Sequence, residues 1–442
     1  MSAVLNGVYI NGAWRAGQDV LEVINPATEQ ILAQVSAGDA SAVTQAVDAA
    51  SAAFGGWSNS TGRDRGALLR KVAQGVSEQR EQLMQLQSSN NGKPLFEAGI
   101  DVDDVIATFE YYAGLCDAMD ASQDSPVALP SDAFSARLRR EPCGVVGLIV
   151  PWNFPMVTTA WKLAPALAAG CCVVLKPSEV TPLAELQLAR IIADAGFPAG
   201  VFNLVCGTGL AVGAPLAADR RVAKISFTGS NAVGVQVMQR AAETIKGVSL
   251  ELGGKSSLLV LADADLDLAV ELACGGGFFN AGQMCSATSR VLVADSLADE
   301  FLQRLQARAE GIRVADPFAD GVEMGALINR AQYQRVLGHI SAACRMARGW
   351  CVGASARQIC PRAISFALRY SPTCRWTARC GMKNSSARCC VYDASPPRTR
   401  RLPWPITVIS AWWPAWSVPI SKPPSAWPTR CRPGWCGSTP RK

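Results

Sequence analysis

Between residues 144 and 254, short apolar segments alternate with segments of helical length. The apolar segments are 145–150, 172–175, 202–205, 224–227 and 249–252, and the helical ones are 156–169, 182–195, 209–218 and 231–244. Strands that are apolar along their whole length are typical of a parallel sheet with helices on both faces. Gly170 and Gly196 stand where left-handed helix ends are expected. The sequence therefore predicts an α/β fold whose ligands bind beyond the carboxyl ends of the strands.

The α/β pattern continues on both sides of this region. Strand-like and helical segments precede it at 8–10, 21–24, 31–35, 39–54, 63–89 and 94–119, and follow it at 258–261, 265–279, 290–293 and 298–311. We predict a first domain over residues 1–254, with 120–142 as a bridging or oligomerisation segment. Residues 255–343 are predicted to form the first part of a second domain.

The composition changes abruptly near residue 343. Residues 344–442 hold 17 of the 42 Lys+Arg, one acid (Asp393), 9 of the 16 Cys, 8 of the 12 Trp and 13 of the 26 Pro. The preceding residues hold 25 basic and 35 acidic side chains, a charge of −10 that the average of +6 conceals. No ordinary globular domain has the composition of this tail.

The size and composition of the chain indicate a globular protein. Its 442 residues, 49% of them hydrophobic and 18% charged, suffice for two or three buried cores. The longest apolar stretch, residues 163–175, is short and interrupted by Pro165, and the start lacks the pattern of a secretory signal. We expect a cytoplasmic protein that binds neither membrane nor nucleic acid. Nucleic-acid binding by the basic, Trp-rich tail is the alternative, against which its scattered prolines argue.

Two motifs follow predicted strands at the edge where ligands are expected. Phe227-Thr-Gly-Ser230 opens a helix, so Gly229 and Ser230 can direct backbone amides at a pyrophosphate, or form only a tight turn. Lys176 and Glu179 can hold the ribose hydroxyls of adenosine, and a carboxylate there repels the 2′-phosphate of NADP. A solvated Lys and a helix-capping Glu are the alternative. NAD is the expected cofactor.

Cys285 is the candidate nucleophile, in the segment Asn280-Ala-Gly-Gln-Met-Cys-Ser286. His339 is the single histidine of the sequence, so a carboxylate such as Glu251 is the available base. Burial would make Glu251 more basic, although it can equally be an ion-paired strand end. Asn153, just past a strand, can donate to an oxyanion or simply form a turn. A packing role is the alternative for Cys285.

The cysteines before residue 344 show no zinc-type spacing with histidine, and no metal site is predicted. An odd number in a reducing compartment favours thiols over disulfides. We interpret six of the seven as inert packing residues: Cys116, Cys143, Cys171, Cys172, Cys206 and Cys274.

Five motifs in this order, PWNFP, KPSE, FTGS, ELGGK and GQMCSA, make the chain resemble the aldehyde dehydrogenase superfamily from residue 8 to about 343. The segments Phe109-Glu-Tyr-Tyr-Ala-Gly114 and Gly282-Gln-Met-Cys-Ser-Ala-Thr-Ser-Arg290 look most like its betaine aldehyde branch. The resemblance implies a Rossmann-like parallel-sheet cofactor domain and a second α/β catalytic domain. It also implies a homodimer or homotetramer when the carboxyl-terminal part is intact.

The resemblance implies a role for each matching residue. Cys285 corresponds to the nucleophile, Glu251 to the general base, Asn153 to the oxyanion donor and Lys162 to the lysine of a proton relay. The dinucleotide contacts correspond to Trp152, Lys176, Glu179, Gly229, Ser230 and Gly234. Phe154, Trp161 and Phe279 match an aromatic cage for quaternary ammonium aldehydes, although the branch commonly has Tyr and Trp in place of the two Phe. Asn90 replaces an acidic residue, which disfavours the potassium ion of some members.

The implied activity is NAD-dependent oxidation of an aldehyde to a carboxylic acid. Thiolate attack by Cys285 gives a thiohemiacetal, hydride loss gives a thioester, and a water deprotonated by Glu251 releases the acid. Betaine aldehyde or an aminoaldehyde is the expected substrate. The alternative is an impaired pseudoenzyme that retains a dinucleotide-binding fold.

Back-translation suggests a cause for the anomalous tail. The resemblance implies a Glu-x-Phe-Gly-Pro segment after residue 343, which is absent from the sequence. Codons for Cys380 to Cys390, read with a two-base offset, permit Trp-Asn-Glu-Glu-Leu-Phe-Gly-Pro-Val-Leu, and the same offset gives family-like segments from Leu402 and Pro433. We interpret residues 344–442 as translated out of frame after a frameshift near Cys344. Resequencing the gene tests this hypothesis.

Overall fold

The computed structural model describes residues 4–346 and 391–392, with side chains for residues 4–339. The predictions for the tail, including the frameshift, the missing Glu-x-Phe-Gly-Pro segment and nucleic-acid binding, lie outside the described residues. The exceptions are the end of one helix and a two-residue strand, whose bounds follow below.

The described residues contain strands and helices throughout. The strands are β1 (Val8–Ile10), β2 (Ala13–Arg15), β3 (Asp19–Asn25), β4 (Gln30–Ala37), β5 (Ser125–Val127), β6 (Ala136–Leu138), β7 (Val145–Ile149), β8 (Cys172–Lys176), β9 (Phe202–Val205), β10 (Val222–Gly229), β11 (Gly247–Leu252), β12 (Ser257–Val260), β13 (Arg290–Val293) and β14 (Val391–Tyr392). The α-helices are α1 (Ala40–Ser58), α2 (Gly62–Glu78), α3 (Arg80–Asn91), α4 (Leu95–Met119), α5 (Pro155–Ala168), α6 (Leu183–Ala195), α7 (Ala214–Ala218), α8 (Asn231–Ala242), α9 (Leu266–Phe278), α10 (Ala298–Gly311) and α11 (Arg330–Met346).

The main sheet confirms the predicted α/β architecture. Its strand order is β11-β10-β7-β8-β9-β1-β2, and the five strands from β11 to β9 are parallel. Strands β7, β8 and β9 are buried along their whole length, as their continuous apolar sequences predict. From β7 the chain proceeds outward to β8 and β9, and later on the opposite side to β10 and β11. This reversal places a ligand crevice at the carboxyl ends of β7 and β10.

The helices follow the predicted segments with one correction. Gly170 and Gly196 have φ values of +86° and +89°, as expected after α5 and α6. The single helical stretch predicted over 63–89 is wrong, because Gln79, with φ −105° and ψ 18°, separates α2 from α3. Its side chain accepts a hydrogen bond from Gln187 on α6 at 2.6 Å. The bend lets both helices pack against α6.

A second parallel sheet, β12-β13-β14, follows the first. The larger hydrophobic core runs in sequence from Val8 to Val237, and a separate cluster runs from Val260 to Leu305. The boundary at residue 254 stays a prediction, with these two clusters on either side of it. The segment 120–142 contains the antiparallel pair β5 and β6, and its bridging role also stays a prediction. Within the described part of the chain, none of the helices combines the length and apolar character needed to cross a membrane.

Candidate active site

A left-handed turn carries the chain from α9 towards Cys285. Asn280, Ala281 and Gly282 have consecutive φ values of 51°, 53° and 74°. Non-glycine residues in this conformation cost about 1–3 kcal/mol each, so the turn requires support from its surroundings. Cys285 itself is exposed, and its carbonyl accepts a hydrogen bond from the Gly254 amide at 3.2 Å. An exposed side chain does not fit the packing alternative, and the hydrogen bond joins this segment to the end of the Glu251 motif.

Glu97 on α4 supports this turn. Both of its carboxylate oxygens lie 3.0 Å from the backbone nitrogen of Asn280, whose N–H donates to them. Burial raises the pKa of Glu97 to about 8, while the charge of Lys93 acts in the opposite direction. None of the sequence motifs pointed to Glu97. An acidic residue on an apolar stretch of helix was the available signal, but its partner lies 183 residues away.

Asn153 joins the loop after β7 to the Cys285 segment. Its side-chain Nδ2 donates to the backbone carbonyl of Gln283 at 2.9 Å. Its backbone carbonyl accepts a hydrogen bond from the side-chain Nδ2 of Asn280, also at 2.9 Å. Asn91 donates to the neighbouring Trp152 carbonyl at 2.8 Å. Asn153 is therefore more than a local turn former, because its side chain makes a contact across 130 residues, two positions before Cys285.

Glu251 on β11 and Lys162 on α5 are close enough for their charges to interact. Glu251 is exposed, so the alternative in which it is buried is wrong. Its strand β11 is the edge strand of the main sheet. Lys162 on α5 donates to the Ser226 hydroxyl at 3.1 Å. Burial lowers the pKa of Lys162 to about 8, while the Glu251 carboxylate acts to raise it. An amine with such a pKa can exchange protons near neutral pH.

The predicted adenosine site contains a short ion pair. Lys176 is 3% exposed, and its ammonium lies 2.6 Å from a carboxylate oxygen of Glu179. Burial acts to raise the pKa of Glu179, but Lys176 and backbone hydrogen bonds, including one from Gly209, together offset it, and the pKa is lowered. The solvated-lysine alternative is wrong. Glu179 does not cap α6, because Pro182 precedes that helix without a side-chain cap.

The predicted pyrophosphate site lies where β10 meets α8. The Ser230 hydroxyl accepts the Val233 amide at 3.3 Å and caps the 12-residue helix. A Cβ atom on Gly229 would lie 2.5 Å from the Phe227 ring. A Cβ atom on Gly234 would lie 2.9 Å from a Leu252 methyl group, so this glycine allows the helix to pack closely on β11.

Two of the three predicted cage residues pack together. The rings of Phe154 and Phe279 are stacked, with centroids 6.2 Å apart and planes 6° from parallel. The buried Lys93 ammonium lies 4.1 Å from the Phe154 centroid and 2.5 Å from Asp101. Trp161 is 40% exposed and donates to Asp104 at 3.0 Å. The membership of Trp161 in a cage stays a prediction.

The potassium expectation depends on Asn90. Both the nitrogen and the oxygen of its side-chain amide make hydrogen bonds to the backbone. It donates to the Val180 carbonyl at 3.1 Å and accepts from the Leu183 amide at 3.1 Å. The side chain thus holds the segment between β8 and α6.

Comparisons with known proteins agree with this geometry. The sequence model of the aldehyde dehydrogenase family matches residues 14–360. Betaine aldehyde dehydrogenase 1 of Oryza sativa subsp. japonica is 46% identical over 344 residues, which cover 76% of this chain and 68% of that protein. Aminoaldehyde dehydrogenase 2, peroxisomal, of Pisum sativum is 46% identical over 343 residues with the same coverage.

A solved structure shares the fold. The betaine aldehyde dehydrogenase of Staphylococcus aureus in complex with NAD+ matches with a TM-score of 0.81 and 33% identity, over 88% of this chain and 78% of that one. Since relatives are named peroxisomal or chloroplastic, the cytoplasmic expectation stays a prediction. The sequence match, the parallel sheet and the motifs at its carboxyl edge agree, and the chain belongs to the aldehyde dehydrogenase family.

Proposed function

We propose that this aldehyde dehydrogenase oxidises betaine aldehyde or an aminoaldehyde with NAD, using Cys285 as nucleophile. The observation that carries the proposal is the hydrogen bond from Asn153 to the Gln283 carbonyl, which holds an amide donor beside the Cys285 segment. Cys285 is exposed, and an aldehyde can therefore reach its sulfur.

The described residues fit NAD. The capped amino terminus of α8, with Gly229 and Ser230, suits a pyrophosphate, and the Lys176–Glu179 pair suits a ribose with a free 2′-hydroxyl. Trp152 and Gly234 complete the proposed contacts. NAD supplies a hydride acceptor when bound. The complex of the Staphylococcus aureus relative with NAD+ supports this choice over NADP.

Each catalytic side chain has a proposed task. The Cys285 thiolate adds to the aldehyde carbon, and the amide of Asn153 stabilises the resulting oxyanion. Once the carbon has been oxidised to a thioester, Glu251 takes a proton from the attacking water. Its exposed position gives it access to that water. Lys162, with a pKa of about 8 and Glu251 acting on it, receives and passes on the proton.

The substrate class rests on the relatives and on the aromatic residues. Relatives with 46% identity are named betaine aldehyde and aminoaldehyde dehydrogenases. Phe154 and Phe279 present apolar rings near the Cys285 segment, and rings of this kind attract cationic groups. With Phe in place of Tyr and Trp, the rings offer no hydroxyl or indole N–H donor to the substrate.

A substrate comparison tests the proposal. The 442-residue protein is mixed with NAD and, in parallel, with betaine aldehyde, an aminoaldehyde and an uncharged aldehyde of similar size, and NADH formation is followed. We expect the highest kcat/KM with a cationic aldehyde, and a lower value with NADP than with NAD. A preference for the uncharged aldehyde would contradict the substrate class. Binding of NAD without NADH formation from any aldehyde would support the pseudoenzyme alternative.

A further inference from the structure

A pair of sulfur atoms lies at the amino ends of two strands of the main sheet, at the opposite ends of these strands from the candidate active site. The Cys143 and Cys171 sulfurs are 3.7 Å apart. Cys143 lies two residues before β7, and Cys171 lies immediately before β8. In the parallel register Val145 pairs with Cys172, so both thiols are at the amino ends of adjacent strands. The catalytic motifs follow the carboxyl ends of these strands.

The two thiols differ in accessibility. Cys143 is exposed, whereas Cys171 is 4% exposed. The sequence-based interpretation of Cys143 as a packing residue is therefore wrong, because it precedes the sheet and is not covered by the helices. Of the seven cysteines with described side chains, Cys143 and Cys285 are the exposed ones. A soluble oxidant thus reaches Cys143 before it reaches Cys171.

The surroundings of Cys143 favour its thiolate. The hydrogen bond with Cys171 lowers the pKa of Cys143 to about 6, and the nearby Lys224 ammonium acts in the same direction, although partial burial opposes both. The same hydrogen bond raises the pKa of Cys171, which burial raises further, so Cys171 keeps its proton. Redox-active cysteines are typically exposed thiolates that lie in an electropositive environment beside a second thiol.

We propose that Cys143 and Cys171 form a redox-active pair that peroxides convert to an intramolecular disulfide, independently of the catalytic cysteine. The Cys143 thiolate attacks one oxygen of hydrogen peroxide, the O–O bond breaks, and a sulfenic acid and hydroxide form. The Cys171 sulfur then attacks the sulfenic sulfur and displaces the sulfenic oxygen, which leaves as water with the Cys171 proton, and the hydroxide from the first step takes a proton from solvent. Two thiols are thereby oxidised, and one peroxide is reduced.

The geometry permits this bond with little rearrangement. A disulfide has an S–S length near 2 Å, so the sulfurs must approach by about 1.7 Å. The exposed Cys143 side chain can supply this movement by rotation, because it lies outside the regular part of β7. The bond would connect positions 28 residues apart, on both sides of α5. Such a link restrains the unfolded chain and stabilises the folded one.

Peptide mass spectrometry after peroxide treatment tests the proposal. Trypsin cleaves after Arg140, Lys162 and Arg190, since Pro177 protects Lys176, and the two thiols fall in peptides 141–162 and 163–190. We expect these peptides to be linked after treatment with hydrogen peroxide and separate after reduction with dithiothreitol. Fragment ions between Cys171 and Cys172 identify the linked sulfur.

Two variants make the result specific. The linked species is expected to disappear in Cys143→Ser and to persist in Cys285→Ser, in which the other exposed thiol is removed. Oxidation is also expected to raise the melting temperature of the wild type and not that of Cys143→Ser. Over-oxidation of Cys143 without any linked peptide, or linkage to Cys172, would overturn the proposal.

Discussion

The two exposed cysteines with described side chains occupy opposite ends of the same α/β architecture. Cys285 follows the carboxyl edge of the main sheet, where its segment is held by the amides of Asn153 and Gly254. Cys143 precedes the amino edge, where its nearest chemical partner is another sulfur, that of Cys171. We propose different chemistry for the two thiols because their surroundings differ: amide donors suit attack on a carbonyl, and a neighbouring thiol suits oxidation.

The largest expected effect separates the two cysteines by kinetics. Cys285→Ala removes the proposed nucleophile, and we expect kcat for aldehyde-dependent NADH formation to fall by more than about a thousandfold. Cys143→Ala, the matched control, is expected to change the initial rate by less than about twofold. Similar losses in both variants would mean that the carboxyl edge is not the site of chemistry.

Removal of the amide donor is the next test of the carboxyl edge. Asn153→Ala is expected to lower kcat by about a hundredfold to a thousandfold, the usual cost of one oxyanion donor. Asn153→Asp keeps the shape but places an acceptor opposite the Gln283 carbonyl, so we expect a loss at least as large. Steady-state kinetics with NAD measures both variants. A kcat near that of the wild type in either variant would contradict the proposed role of Asn153 in stabilising the oxyanion.

Because Glu97 supports the turn before Cys285, we expect its removal to lower both the stability of the protein and kcat. Glu97→Ala leaves the buried Asn280 amide without its carboxylate partner, at a cost of about 1–3 kcal/mol in the free energy of unfolding. Glu97→Gln retains an acceptor oxygen and is expected to lose less. Urea unfolding and kcat are measured together, with Glu110→Ala on the exposed face of α4 as control. Equal behaviour of Glu97→Ala and Glu110→Ala would contradict the role of Glu97.

The smallest effect concerns pH. Burial lowers the pKa of Lys162 from 10.5 to about 8, and Glu251 on β11 is the charged group that opposes this shift. We expect kcat to rise with pH through about 8 as Lys162 loses its proton, and Lys162→Met to lack this rise. The contribution of Lys162 to the free energy of unfolding is present above pH 10.5 and is lost as the pH falls through about 8, because protonation of Lys162 is less favourable in the folded state. An unchanged pH profile in the variant would contradict the relay role.

The sequence predicted the elements of the sheet better than their long-range contacts. Apolar runs located β7 to β11 because periodicity is a local property, and Gly170 marked a helix end for the same reason. The pairing of β1 with β9, the bend at Gln79 and the approach of Glu97 to Asn280 depend on residues far apart in the chain. No local pattern encodes them.

The site shows the same division. Motifs placed Asn153 just past a strand and Cys285 between a helix and a strand, and a hydrogen bond joins their segments. The sequence left open whether Glu251 is buried, because an apolar strand sequence does not reveal that β11 lies at an edge of the sheet. The nearness of Cys143 to Cys171 likewise follows from strand register, which the sequence alone did not supply.

Trapping an acylated cysteine is the sharpest test of Cys285 as the nucleophile. The protein is mixed with NAD and betaine aldehyde, quenched in acid and digested with trypsin. Two peptides are then sequenced by mass spectrometry: 141–162, which contains Cys143, and 256–290, which contains Cys274 and Cys285. We predict an acyl group on Cys285 that accumulates further in Glu251→Gln, because thioester hydrolysis is then slowed. An acyl group on Cys274 or Cys143, or NADH formation without any acylated cysteine, would contradict the account.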